Sequence, residues 1–300
     1  MPRIDLYSLE LFLATAREGS IARAARSEHI APSALSRRLA DLEAALGLPL
    51  LVRSPSGIEL TDAGRHALGR ATKLNDDLQS LGRDLQALSG TVSGTVRLYA
   101  NASAIVGFLP EKIKAFQAAY PLVEIALQER TSAEVLRACL DDRADVGVGV
   151  AAEAVPAGVE SWHFASDPLM VVLPQGHPLA KRRSLQFADV LRYALVGAQG
   201  GGSLDRFLWD RADAARMPMR LSVVVNSFDA QCRMVEAGLG LAIVPTSAAS
   251  AFAGSSHFAR RRLNELWRER ELRVYSLRKT PRLTAVQALI EALVGTPPPT

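Results

Sequence analysis

Between Thr61 and Ser89 nothing breaks a helix except the tolerable glycines Gly64, Gly69 and Gly82, and leucine returns at 74, 78, 81, 85 and 88. Spacings that alternate between four and three are those of an a/d seam, one face of a helix presented to a partner. At about 1.5 Å per residue the stretch makes a rod about 40 Å long. One amphipathic helix laid along its own domain would carry the same stripe. The seam is read as a dimerising coiled coil because the segments on either side differ in character. The rod at 61–89 therefore divides the chain into residues 1–60 and residues 90–300.

Residues 6–18 place Leu6, Leu9, Phe12, Leu13 and Ala16 at helical spacing and stop at Gly19. Ser20 then suits the N-cap of a short helix. After a turn, Pro32 stands where a helix best accepts proline, at its first position, and Gly47 marks the stop. LLVRSPSGIEL reads as two apolar runs joined by a turn, a β-hairpin. Two helices, a turn, a third helix and a hairpin form a winged helix-turn-helix layout.

The third helix, IAPSALSRRLADLE, is the informative one. Leu35, Leu39, Leu42 and Leu46 cluster on one side when each residue is stepped by about 100°. Arg37 falls almost opposite, with Ser33 and Ala40 beside it, Ala34 and Ser36 flanking, and Arg38 nearer the edge. Small residues let a helix axis approach a surface closely. An arginine there can meet guanine O6 and N7 with two parallel hydrogen bonds, and edge residues such as Arg38 suit phosphates. Asp41 and Glu43 lie toward the C-terminal end, away from the turns that enter a groove.

Bulk charge adds nothing to this. The chain has a net charge of +4, but residues 1–60 hold seven bases (Arg3, Arg17, Arg23, Arg26, Arg37, Arg38, Arg53) and seven acids (Asp5, Glu10, Glu18, Glu28, Asp41, Glu43, Glu59). The excess sits at Arg260, Arg261, Arg262, Arg268, Arg270, Arg273, Arg278, Lys279 and Arg282, read as a solvated face or an oligomer contact. The N-terminus has no apolar signal core and no stretch is long enough to span a bilayer, so a cytoplasmic protein is expected. Cys139 and Cys232 read as two buried thiols. His29, His66, His163, His177 and His257 are scattered, so no metal site is expected. Neither is a cofactor or an enzymatic activity, because G-x-S-x-G, GK[ST] and H-E-x-x-H are all missing.

Beyond the SGTVSG joint, strand-like runs alternate with helical ones: TVRLYA, LVEIALQE, DVGVGV, YALVGA, LSVVVN and LAIVP. That alternation implies an α/β domain with mainly parallel sheets and ligands at the C-terminal ends of strands. Asp145 in ADVGV reads as structural.

Residues 3–70, with AA at 24–25, ALSRRLADLEAALG and LTDAG, resemble the DNA-binding domain of LysR-type transcriptional regulators. SFDAQCRMVEAGLGLAIVP, residues 227–245, resembles a segment of that family's effector domain, so the likeness spans nearly the whole chain. It implies a winged helix-turn-helix at 1–60, a linker and dimerisation helix at 61–89, and an effector-binding domain at 90–300. That domain would have two lobes, like periplasmic solute-binding proteins, the second at about 163–266. It implies a homodimer, usually assembled into a homotetramer, on double-stranded DNA with a dyad-symmetric operator, working with RNA polymerase. The DNA-binding residues are then Ser33, Ala34, Ser36, Arg37 and Arg38, with Arg53 and Ser54 of the wing on phosphates. Where the family often has Ser-Gln this chain has Ala31-Pro32, which removes a capping hydroxyl and a base-facing glutamine. The wing start Leu51-Val52-Arg53 lacks the usual central aromatic.

A two-lobed domain would hold its effector between the lobes, where strand ends face each other. Asn101 and Ser103 follow the first strand, with Ser103 placed to cap the next helix. Thr131 and Ser132 follow the second, and the other lobe supplies Gln199, the Gly200–Gly202 run with Gly201 at its centre, Ser203, and Asn226-Ser227-Phe228. Helix N-termini favour an anionic or strongly polar small molecule. Arg130 and Arg206 are candidate charge partners. The rival reading is a cytoplasmic solute-binding or protein-interaction module with no specific operator.

Overall fold

The computed structural model describes residues 4–54, 57–87, 92–198, 203–251, 258–279 and 281–295. The chain forms two compact units, residues 1–85 and 86–300.

The first unit contains α1 (Leu6–Glu18), α2 (Ile21–Ser27), α3 (Pro32–Leu46), the hairpin strands β1 (Leu51–Ser54) and β2 (Gly57–Leu60), and most of α4 (Asp62–Ala87). Asp5 caps α1 by accepting from the Ser8 N–H at 2.9 Å, and Gly19 ends it in a left-handed conformation. Ser20 caps α2. Pro32 opens α3 with no side-chain cap from Ala31, and Gly47 closes it, again left-handed. Leu35, Leu39 and Leu42 pack with Leu11, Phe12, Ala24, Ala25 and Leu50 in one core. Each fully buried Leu or Phe in that core is worth about 1.5–3 kcal/mol.

Two backbone contacts hold the wing to this core. Ile58 N–H donates to the Gly19 carbonyl at 3.0 Å, and a Cβ at Gly57 would stand only 2.6 Å from that oxygen. Thr61 N–H donates to the Leu50 carbonyl at 3.0 Å, and a Cβ at Gly64 would collide with the same carbonyl. The glycine of LTDAG is thus a contact requirement. Glu43 has a structural duty too: its Oε1 accepts from the N–H groups of Leu50 and Leu51, at 2.6 and 2.9 Å, and sets the start of the wing.

The second unit has two lobes. In the first, the sheet order is β4 (Val123–Glu129), β3 (Gly94–Ala100), β5 (Val146–Val150), β13 (Glu271–Leu277), β6 (Val159–Ser166). Around it lie α5 (Ala102–Gly107), α6 (Leu109–Ala119), α7 (Ser132–Leu140) and α12 (Thr284–Val294). Val96, Leu98, Val146, Val148, Val274 and Leu289 form its core. In the second, a four-stranded sheet runs β11 (Ala242–Pro245), β7 (Leu169–Pro174), β12 (Phe258–Leu263), β8 (Ser184–Leu185), beside the parallel pair β9 (Leu195–Ala198) and β10 (Leu221–Val225). Its helices are α8 (Phe187–Val190), α9 (Ser203–Ala214), α10 (Phe228–Glu236) and α11 (Thr246–Ala251), over a core of Leu169, Val171, Leu195, Leu241 and Ile243.

The sheets are less parallel than the strand–helix alternation suggests. β3 pairs in parallel with β4 and β5, but β13 runs antiparallel to both β5 and β6, and β7 antiparallel to both β11 and β12. The chain leaves the first lobe through Asp167-Pro168 and returns just before Glu271, so strands that carry it out and back need no helical crossover. His163 belongs to β6 and pairs with Arg273, so the first lobe extends past residue 163.

Candidate nucleic-acid interface and inter-lobe crevice

In α3 the side facing away from Leu35, Leu39 and Leu42 presents Ser33, Ala34, Arg37 and Ala40 exposed, with Ser36 half-buried. Among the described residues nothing bonds or pairs with the Arg37 guanidinium. Arg38 is placed differently. Its Nη1 lies 3.7 Å from Asp5 Oδ1, and the guanidinium stands 5.5 Å from the centre of the Tyr7 ring, bracing the edge of α3 against the start of α1. The side chains of Arg53 and Ser54 lie outside the described residues.

Along α4 the seam leucines differ in burial. Leu74 and Leu81 are 43% and 53% exposed, while Leu78 is part-buried beside Leu6, Leu9 and Leu13 of α1. Thr61 caps α4, its Oγ1 accepting from Gly64 N–H at 2.9 Å. Residues 88–89 of the expected rod lie outside the described residues.

In the second unit, a crevice of about 500 Å3 opens between the lobes. It brings together Asn101, Ser103, Thr131, Ser132, Asn226, Ser227 and Phe228, all expected at strand ends of a two-lobed domain. Gly201, with Gln199, Gly200 and Gly202, lies outside the described residues, as does the Ser203 side chain. Local roles are fixed by hydrogen bonds. Asn101, not Ser103, caps α5: its Oδ1 accepts from Ala104 N–H at 3.0 Å, and Ser103 is buried within the first turn. The Asn101 amide donates to Ser132 Oγ at 3.2 Å, which also accepts from Val150 N–H at 3.1 Å. Thr131 forms a capping box with Glu134, whose carboxyl the two Thr131 donors hold below its usual range. Ser227 caps α10, accepting from Ala230 N–H at 3.2 Å.

Beside the crevice the two crossings between lobes touch. Asp167, 1% exposed, donates its N–H to the Arg270 carbonyl at 2.8 Å. Its carboxylate accepts from Ser247 N–H at 3.0 Å and Ser247 Oγ at 2.8 Å. Burial raises the Asp167 pKa, opposed by those hydrogen bonds and by the Arg270 charge; burial works equally against Arg270. Across the crevice Asp205, whose Oδ2 accepts from Ala198 N–H at 2.8 Å, is also raised by burial. A Cβ at Gly107 would collide with the Ser247 side chain, so α5 and α11 are in close contact here.

Arg270 lines this crevice and escaped the sequence reading because it sits inside a basic run. That run is only partly a solvated face: Arg260, Arg262 and Arg278 are exposed, while others are engaged within the fold. Arg261 donates through Nε to the Ala180 carbonyl at 3.0 Å, Arg273 through Nε to Ser161 Oγ at 2.6 Å, and Arg282 pairs with Glu160 beneath the Trp162 ring. Arg130 lines the crevice and also donates to the Glu129 carbonyl and to Gln128 Oε1, whereas Arg206 does not line it. Asp145 is structural, with Arg97 Nη2 at 2.8 Å. Cys139 and Cys232 are free, buried in separate cores, and burial pushes their thiols up to about 12 and about 11. No group of described residues could hold a metal ion, and no described helix is long and apolar enough to cross a membrane.

Known proteins share this arrangement. Residues 6–65 match the family described as "Bacterial regulatory helix-turn-helix protein, lysR family", and residues 89–297 match "LysR substrate binding domain". The HTH-type transcriptional regulator IlvY of Escherichia coli is 28% identical over 244 residues, 81% of this chain and 82% of IlvY. The RuBisCO operon transcriptional regulator of Allochromatium vinosum is 29% identical over 248 residues, 80% of this chain and 79% of its own length. Among solved structures, full-length CbnR complexed with its target DNA has the same fold at a TM-score of 0.75, with 23% identity over 97% of this chain and 99% of that one. A full-length single-site variant of OxyR from Pseudomonas aeruginosa follows at 0.72, with 20% identity over 97% of this chain and 95% of that one. With a winged helix-turn-helix at one end and a matching two-lobed domain at the other, this chain belongs to the LysR family of DNA-binding transcriptional regulators.

Proposed function

We propose that α3 reads a dyad-symmetric operator and that a small molecule in the inter-lobe crevice modulates the reading. The observation that carries the first part is the exposed face of small residues around an uncommitted Arg37, opposite a fully buried leucine stripe. Ser33, Ala34 and Ser36 let the helix axis come close, and Arg37 contacts a base edge. Arg38, Arg53 and Ser54 serve the phosphate backbone. With no capping hydroxyl at Ala31, the first turn of α3 keeps its N–H groups for phosphate as well.

The protein acts in the cytoplasm as a dimer through the exposed Leu74 and Leu81 face of α4, assembled into tetramers, and works with RNA polymerase. The effector is a polar or anionic small molecule held by Asn101, Ser103, Thr131, Ser132, Gly201, Ser203, Asn226, Ser227 and Phe228. Most of these groups already bond within their own turns, so the ligand meets backbone N–H groups and the free valences of hydroxyls. Binding shifts the equilibrium between lobe arrangements about residues 167–168 and 270, and so the spacing or bend imposed on DNA. Footprinting the same operator with and without a bound effector tests this. An unchanged footprint with a ligand proven to bind excludes the mechanism.

A further inference from the structure

Another cavity of the second unit, larger than the crevice, lies beside it. It encloses about 880 Å3 along the Leu136–Leu140 face of α7 and is walled by Leu136, Leu140, Val150, Phe207 and Trp267. It meets the crevice at Ser132, Leu204 and Arg270, which line both. Leu136 and Val150 come from the first lobe and Phe207 from the second, so an occupant touches both. The Phe207 and Trp267 rings stand edge to face with centroids 5.4 Å apart, leaving aromatic surface on the wall.

The charges around this cavity are mostly matched. Arg137 lies 3.7 Å from Asp141, Glu271 lies 2.8 Å from Arg273 and 3.1 Å from His163, and Glu269 pairs with Arg268. Among the described residues Glu153 has no ion partner, and neither does Arg270. Its Nη1 is shut away from water and has no hydrogen-bond partner among the described residues. Its charge is set only against Asp167, which burial pushes toward the neutral form. Arg270 also lines the cavity with its remaining atoms, and a carboxylate fits the planar fork of a guanidinium.

We propose that this cavity is a second small-molecule site, taking an organic monoanion with an apolar body, such as an aryl or branched acyl carboxylate. The anionic group sits at Arg270 and the body lies on Leu136, Phe207 and Trp267. The volume suits a molecule of drug size. The site does not depend on the crevice holding an effector.

The test is a fluorescence titration of the full-length protein with 1-anilinonaphthalene-8-sulfonate, an aromatic monoanion. Expected is saturable binding at one site per chain, with energy transfer from Trp267 that drops in Trp267→Phe. Arg270→Leu should weaken binding at least about tenfold. Ala133→Trp, a substitution at an exposed position of α7 that fills the cavity, should remove saturable binding while leaving the melting temperature and DNA binding intact. Leu140→Arg, also at an exposed position, serves if that variant does not fold. Val106→Trp, in the crevice, should leave binding unchanged. The proposal is overturned by unaltered binding in Ala133→Trp, by loss of binding in Val106→Trp, or by no saturable binding at all. Equal affinity for uncharged N-phenyl-1-naphthylamine would overturn the anionic specificity. Binding that falls as protein concentration rises would instead assign the cavity to a second copy of the chain.

Discussion

The N–H of Asp167 donates to the carbonyl oxygen of Arg270 at 2.8 Å, tying the outgoing and returning crossings between the two lobes to each other. The same two residues set a carboxyl and a guanidinium within the lobe junction, and Arg270 lines both cavities. Any change in how the lobes meet must pass these strands, because every other covalent path stays within one lobe.

Titration at this junction has a direction. Asp167 is held above its ordinary pKa in the fold, mainly by burial, so the folded state binds its proton more tightly than the unfolded chain does. Stability from this group is therefore greatest below the unfolded value of about 3.9 and declines as pH rises through the folded pKa. Urea unfolding of wild type and Asp167→Asn across pH 4 to 7, each about a denaturation midpoint, should show the wild type losing ground to the variant over that window. A difference that does not vary with pH would mean that Asp167 titrates normally.

Arg37→Ala should lower operator affinity and relax base preference at one position by about 1–3 kcal/mol, read by competition binding against single-base operator variants. A uniform loss across all sequences would make Arg37 a phosphate contact.

Gly64 and Gly69 both lie in α4, yet their alanine variants should differ in sign. At Gly64 the added Cβ strikes the Leu50 carbonyl, so Gly64→Ala should destabilise the first unit by about 1–3 kcal/mol. At Gly69 nothing lies within 4 Å, and alanine should stabilise the helix by about 0.5–1 kcal/mol. Thermal unfolding of the two variants measures both.

Leu74→Glu with Leu81→Glu places charge on the exposed α4 face and should shift sedimentation toward smaller species. An unchanged sedimentation profile would place the dimer contact elsewhere.

Neither cysteine should act as a redox sensor. With thiols raised to about 12 and about 11 by burial, Cys139 and Cys232 should react with Ellman's reagent only after denaturation. Fast labelling of either in the native protein would show it to be accessible.

How much of this was legible beforehand differs between the two ends of the chain. α3 could be read residue by residue because its period, Pro32 and Gly47 agree on one helix, and burial of Leu35, Leu39 and Leu42 then fixes which side is outward. The crevice residues were legible as strand ends, but Asn101 and Ser103 are both good cap residues, and only the backbone decides for Asn101. β6, β7, β12 and β13 were missed because antiparallel returns carry no helical crossover to announce them, and Asp167-Pro168 gives little punctuation between β6 and β7. Arg270 was hidden among arginines whose roles depend on partners distant in sequence, such as Ser161 for Arg273 and Ala180 for Arg261.

Reading of a specific operator by α3 is checked by selecting genomic fragments with the purified full-length protein at near-physiological salt and footprinting the enriched ones. Expected is a dyad-symmetric site with half-sites in successive major grooves, lost from the enriched pool when Arg37→Ala is used. Binding that is blind to sequence and simply fades as salt rises, with wild type and Arg37→Ala alike, would contradict it.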